Sequence, residues 1–486
     1  MAISILFLEQ SDSHAEPITE KIMYHLSLDR SFSYICPDVK KCKRFLSVLA
    51  ALTNDREEII YRQDVIKDFE KNPTLLEQLA SLSARFEELR ISQKTIGKDE
   101  YRLNTTGTAS SVASKNILQA QALSLKRALL FVKAYGELLV KHDLKSSGLL
   151  NLYNACKKMY ESPEFSKLIT FCSKYENFDE SGFWDFKFTL NSEGRIEEYA
   201  MIDHRYIHMT DPELKRKGFS LFKKAAEITY PCIRLSSAED GLYESLSVSA
   251  FSDLSGLFGC ISEQIFAKFG SIGQELDFYC VVLKYIKALS EKKVPICYPV
   301  FSDDRRIKVK NLYDLYLLTS KPNTSEVVSN DFVMETSSGL LVFGNNGSGK
   351  TVYLRSVGTM QILAQAGLPI PCEYAEIALF SQIATQFSEA EKESYEGNYA
   401  GRFEQEVREL SAMVNNLKKG ALVFLNETFQ STAYAEGAEG LYYLLKHFSA
   451  LNIRWVLVSH LRQIEKMFDS NEATVLYTAE GYKISK

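Results

Sequence analysis

The sequence predicts a mixed fold, a mainly α-helical first part followed by an α/β domain built on a phosphate-binding loop. Three observations carry that expectation. Apolar residues recur at three- and four-residue spacing through most of residues 38–143. Near Pro295 the pattern changes to short apolar runs alternating with helical stretches. Between one such run, Gly339-Leu340-Leu341-Val342, and a helical pattern lies FGNNGSGKTVYLR, Phe343 to Arg355.

The chain has 486 residues, 45% hydrophobic and 24% charged, which is ordinary for a globular protein of two to four domains. Its net charge is −5, and residues 291–486 carry 20 Lys/Arg against 23 Asp/Glu, so no basic half is concealed. Bulk charge therefore does not imply nucleic-acid binding, which would need a local basic surface. The nine cysteines are scattered without CxxC pairs, the pattern of reduced thiols in a cytoplasmic protein. Ile3–Leu8 is too short for a signal peptide and reads as a short strand. No apolar run is long enough to span a membrane.

In chain order, residues 38–53, 55–70, 72–92 and 112–143 read as helices, with Asn72-Pro73 breaking the second from the third. The stretch 114–143 is long for one globular helix and points to an elongated arm or a bundle. FWDFKFTL, Phe183 to Leu190, alternates apolar and polar residues, NSEG (191–194) is turn-like, and Arg195 to Tyr206 reads as the returning strand of a hairpin. Helical periodicity resumes from Asp211 and through 241–292. Strands follow at 296–301, 306–308, 339–343, 421–425, 454–458 and 474–478. The expected organisation is a strand and loop over 1–36, a helical domain over 37–290 with a β insertion near 183–207, and the α/β domain over 291–486.

Gly344-Asn345-Asn346-Gly347-Ser348-Gly349-Lys350-Thr351 satisfies G-x-x-x-x-G-K-S/T in full, and Val352 continues it into the helix. Its glycines let successive backbone N–H groups face a phosphate, and the following helix adds its positive end. Lys350 then reaches the β- and γ-phosphates of ATP and Thr351 holds Mg2+. A chance glycine-rich turn is the bland alternative, disfavoured by the strand before and the helix after. Such an ATPase needs a second strand ending in acids. Ala421 to Leu425 supplies the strand, but Asn426 stands first and only Glu427 is a carboxylate. An amide accepts a hydrogen bond from metal-bound water without adding charge, so Asn426 predicts weaker Mg2+ binding while Glu427 still polarises water. His460 follows a third strand, where ABC-type ATPases sense the γ-phosphate. A lone His after a strand is more often structural, whereas one after Lys350 and Glu427 in that order reads as catalytic. The same order fits the ABC plan better than that of a kinase.

The flanking words resemble those of the MutS family of DNA mismatch-repair ATPases. That family's loop reads G-P-N-M-G-G-K-S-T-Y-L/M-R, and Tyr353-Leu354-Arg355 is kept here. ILAQAGLPIPCEYAEI (362–377) and Asn330 upstream of the loop are similar to further family words. NETFQSTAYAEG (426–437) puts Thr432 on the family's D-loop threonine, and Val458-Ser459-His460 matches A-T-H. Residues 52–79 and those from Glu275 onward resemble the family's core domain. The resemblance implies an elongated helical core and lever joined to an ABC-type ATPase. It also implies a homodimer sharing ATP and Mg2+ sites between subunits, and a role on DNA in repair or recombination.

The departures shape the functional expectation. Too few residues precede position 40 for the family's mismatch-reading domain, and Phe86-Glu87-Glu88 spells its wedge on a core-type helix. DNA is therefore expected to be gripped by structure rather than by mispair. The family's adenine-stacking aromatic falls on Val327. In the signature segment that reaches the partner's γ-phosphate, Phe403 and Glu406 are kept while Gly401 and Arg402 replace Ser and Thr. These changes support an alternative, a nucleotide-gated scaffold for a protein partner with little or no hydrolysis. His204 and His208 lack the further ligands of a metal site. Lys126, Arg127, Lys133, Lys141 and Lys145 lie along the long helix as a DNA channel or, by default, a solvated face. Glu389–Glu396 is expected to be a loop before the signature helix.

Overall fold

In the computed structural model, residues 2–8, 10–106, 110–176, 182–190, 196–206, 240–335, 339–387, 399–429, 434–469 and 471–485 are described. Helices dominate to residue 291 and an α/β arrangement follows, as expected from periodicity. The chain divides into two compact units. One comprises residues 1–3, 81–140 and 153–271, the other residues 4–80, 141–152 and 272–486. No described helix is long and apolar enough to cross a membrane.

The first unit is a helical bundle with a hairpin. In helix Ser111–Leu139 the residues Leu118, Ala122, Leu125, Leu129, Val132, Gly136 and Leu139 are buried at alternating spacings of four and three. That is the seam of a coiled-coil-like interface, packed on helices Pro163–Glu176 and Asp240–Phe269. Gly136 faces helix Ser147–Tyr160, where a Cβ would lie 2.5 Å from the Tyr160 ring. Phe86 is buried against Phe131, Tyr135 and Phe266, so its Phe-Glu-Glu stretch is core. Lys126 pairs with Glu176 at 2.6 Å and Lys133 lies 3.6 Å from Glu137, so part of the basic stripe is neutralised locally. The expected hairpin is present as β1 (Gly182–Leu190) and β2 (Ile196–Tyr206), antiparallel, with His204 on the second strand. His208, most of the expected turn, the helix expected from Asp211 and Glu389–Glu396 lie outside the described residues. Among the described residues no His/Cys/Asp/Glu cluster has the make-up of a metal site.

In the second unit, helices Glu20–His25, Leu28–Ile35, Val39–Ala50, Arg56–Lys71 and Ile272–Glu291 enclose the aromatic side chains of Phe32, Phe45, Phe69, Phe278 and Tyr279. Asp38 and Asp55 cap two of these helices by accepting backbone N–H bonds in the first turn. Asn72 ends one helix and Pro73 begins the next. Ile3–Leu8 is not the expected strand. Its second half meets side chains instead of a partner strand: the Ile5 N–H donates to Glu275 Oε2 at 2.6 Å, and Leu6 O accepts from Arg62 Nε at 3.0 Å.

A six-stranded sheet carries the α/β part, in the order β12-β11-β6-β10-β9-β8. Its members are β6 (Gly339–Phe343), β8 (Gln382–Phe387), β9 (Ala421–Asn426), β10 (Arg454–Ser459), β11 (Ala473–Thr478) and β12 (Ile484–Ser485). All pairings are parallel except β11 with β12. A four-stranded sheet in the order β3-β7-β4-β5 is formed by β3 (Val300–Phe301), β4 (Ile307–Leu312), β5 (Asn330–Met334) and β7 (Tyr374–Ile377). The strand expected at 296–301 shrinks to β3, because Cys297 makes only an isolated bridge to Ile370. Strands β5, β7, β8 and β12 were not expected. In β8 the polar Thr385 and Gln386 are buried and bonded to His25 and Thr428, which breaks the apolar spelling of an interior strand.

Candidate nucleotide site

Strands β6, β10 and β9 are adjacent and parallel, so their C-terminal ends open on one side of the sheet, where α/β proteins bind ligands. The three polar stretches found in sequence each follow one of these ends. After β6 the loop turns through Gly347 (φ +74°) and Gly349 (φ +94°) into helix Lys350–Gln365. Gly344 must be glycine, since a Cβ there would fall 1.9 Å from Thr478 Oγ1 at the end of β11. Lys350 is buried and its Nζ donates to the carbonyls of Gly344 and Asn345 at 2.9 and 3.0 Å.

From β9, Asn426 Oδ1 accepts the Thr351 hydroxyl at 3.0 Å. Glu427 has φ +56°, and its N–H is bonded to Val458 O at 2.9 Å. That unfavourable backbone turns the carboxylate inward. Glu427 Oε1 lies 3.5 Å from Lys350 Nζ and 2.9 Å from His460 Nε2. Thus Lys350, Thr351, Asn426, Glu427 and His460 converge although 110 residues separate the first from the last. Glu427 Oε2 and Ser348 Oγ are buried without a hydrogen-bond partner. Orphaned buried oxygens are costly. A glycine-rich turn at a helix N-terminus, a lysine, a hydroxyl, an amide oxygen and a free carboxylate oxygen suit a nucleoside triphosphate with a hydrated divalent cation.

The other expected residues are placed less uniformly. Val352 is half-buried in the first turn of the helix. Asn330 is bonded to the backbone of the last turn. Its side chain bonds to Tyr482 O at 3.1 Å and to the Ile484 N–H at 2.9 Å, joining β5 to the turn before β12. Val327 is buried. Gly401, Arg402, Phe403 and Glu406 lie on helix Tyr399–Asn415. Glu406 accepts the Phe429 N–H of its own chain at 2.9 Å. Thr432 lies outside the described residues.

Three residues that stood in the sequence only as family words prove to be supports, a role no local pattern assigned them. The Tyr353 hydroxyl donates to Asp331 O at 2.9 Å. Arg355 forks onto Asp314 with two 2.9 Å bonds and stacks on Tyr316. Gln365 is fully buried and bonds Thr53 O, Phe380 O and the Phe380 N–H. These residues after the loop fix the helix through hydrogen bonds.

Residues 54–292 match the MutS2 N-terminal domain and residues 340–481 match MutS domain V. The endonuclease MutS2 of Alkaliphilus metalliredigens is 29% identical over 152 residues, 31% of this chain and 19% of the relative. MutS protein homolog 4 of Homo sapiens is 27% identical over 179 residues, 33% of this chain and 18% of the relative. The DNA mismatch repair protein MutS of Lactobacillus delbrueckii subsp. bulgaricus is 29% identical over 167 residues, 34% of this chain and 19% of the relative. The chain thus spans about a fifth of the length of these relatives in the matched stretches. With two MutS domains in the family's order and a site assembled on the strands that bear its motifs, the chain belongs to the MutS family.

Proposed function

We propose that the protein binds ATP with Mg2+ on the loop Gly344–Thr351, hydrolyses it slowly, and uses the nucleotide to govern a dimer that grips DNA by its structure. One observation carries the nucleotide reading: Lys350, Thr351, Asn426, Glu427 and His460 meet at three parallel strand ends. Lys350 already turns toward the loop carbonyls and is the cation available to the β- and γ-phosphates. Thr351 and, through water, Asn426 would hold Mg2+, which neutralises phosphate charge when bound. Glu427 takes the proton of the attacking water, and His460, 2.9 Å away, orients that carboxylate and lies at hand for the γ-phosphate. With no charge at Asn426, metal affinity and turnover are lower than a carboxylate would give. The α/β domain over 291–486 is the ATPase unit in this reading, and the free cysteines support a cytoplasmic protein.

The DNA part rests on relatives named for DNA mismatch repair and for an endonuclease. The test is ATP turnover in wild type and in Glu427→Gln. Expected is measurable hydrolysis that falls at least about a hundredfold in the variant while ATP still binds. The second reading, a nucleotide-gated scaffold for a protein partner, is favoured by Glu406 bonding within its own chain instead of lying free for a neighbour. Absence of turnover in wild type, with none gained by Asn426→Asp, selects that reading.

A further inference from the structure

A triphosphate site does not by itself say where the base rests. Val327, which stands at the position of the family's adenine-stacking aromatic, is only 6% exposed and packed in the core. An aromatic ring stands at the loop from elsewhere. Tyr482, in the turn between β11 and β12, is 59% exposed. A Cβ built on Gly349 would meet its Cδ1 at 3.4 Å and its Cγ at 3.9 Å. The ring therefore borders the last glycine before Lys350.

The turn that carries it is held firmly and at a cost. Gly481 and Tyr482 are consecutive left-handed residues, φ +70° and +62°. A tyrosine rarely adopts that backbone without a constraint. The constraint is visible. Asn330 bonds both Tyr482 O and the Ile484 N–H, Lys483 Nζ donates to Ser329 O at 2.6 Å, and the Ala479 N–H donates to Lys483 O at 2.7 Å. Such fixing of a ring that stays largely in water gains little by burial, whereas it preorganises a flat apolar face for a ligand.

We propose that Tyr482 is the platform on which the purine base of the bound nucleotide stacks, with Asn330 as the positioning residue that sets the turn. This rests on the ATP-binding reading and adds the base subsite to it. Stacking of a base on an aromatic side chain predicts roughly tenfold in affinity.

The test compares ATP with inorganic tripolyphosphate, which has no base, by titration calorimetry on wild type, Tyr482→Ala and Tyr482→Phe. Expected are roughly tenfold weaker ATP binding in Tyr482→Ala, wild-type affinity in Tyr482→Phe, and equal tripolyphosphate affinity in all three. Asn330→Ala should lower the ratio of ATP to tripolyphosphate affinity in the same direction. Tyr482→Ala binding ATP as wild type does, or losing both ligands equally, overturns the proposal while the nucleotide site stands. Wild type binding tripolyphosphate as tightly as ATP also overturns it. Wild type binding neither ligand removes the nucleotide site itself.

Discussion

Among the residues of the site, Asn426 decides the chemistry most directly. Its Oδ1 already accepts the Thr351 hydroxyl, so position and geometry suit a metal-side ligand and only the charge is missing. Replacing it with Asp restores that charge without changing size. Asn426→Asp should raise turnover several-fold and lower the Mg2+ concentration at half-maximal rate, as read from a Mg2+ titration of ATPase activity. Lys350 was legible from the complete glycine-rich motif, and Glu427 and His460 because each follows an apolar run against which a polar residue stands out. Thr478 and Tyr482 were not, since nothing in TAEGYK distinguishes a residue beside the loop from one in an ordinary turn. The buried thiols follow another residue-scale rule. Burial pushes Cys156 and Cys172 up to about 12, so they stay protonated and unreactive at neutral pH.

At the scale of elements, helix Lys350–Gln365 links the site to the rest of its unit. Its start is set by Gly349, its first two turns by Tyr353 and Arg355, and its end by Gln365 before Gly367 at φ +87°. Gln365→Leu strands two carbonyls and an N–H in the interior. It should lower stability by about 2–4 kcal/mol in urea denaturation. The close approach of β11 to the loop gives a second expectation. Gly344→Ala places a Cβ on Thr478 Oγ1 and should weaken ATP binding, and Thr478→Ala in the same chain should restore part of it in equilibrium titrations. Most helices were readable from periodicity, because their buried stripes are apolar and regular. Strand β8 was hidden because its buried residues on both faces include the polar Thr385 and Gln386, satisfied by partners far away in sequence.

For the whole molecule, the consequence we propose for nucleotide binding is association. Sedimentation velocity with ATP should shift the protein toward a dimer, branched DNA should co-sediment with it, and Lys350→Ala should abolish both effects. Unchanged sedimentation with ATP, together with no affinity for duplex, branched or single-stranded DNA, would sink the DNA-gripping reading. A chain of net charge −5 gives no general attraction for phosphates, so binding that survives here must come from local surfaces.

By itself the sequence determined the two regimes of secondary structure, the glycine-rich loop before a helix, the amide of Asn426 ahead of Glu427 and the family words around them. These are local properties: periodicity, glycine placement and side-chain chemistry at strand ends. Only the tertiary structure decided that β10 lies between β6 and β9. That order brings His460 within 2.9 Å of Glu427 and Glu427 within 3.5 Å of Lys350. It also decided that Ile3–Leu8 is pinned by side chains instead of pairing, that Glu406 bonds within its own chain, and that Tyr482 borders Gly349. Such contacts join residues tens to hundreds of positions apart, and no local pattern in a single sequence records which distant groups will satisfy one another.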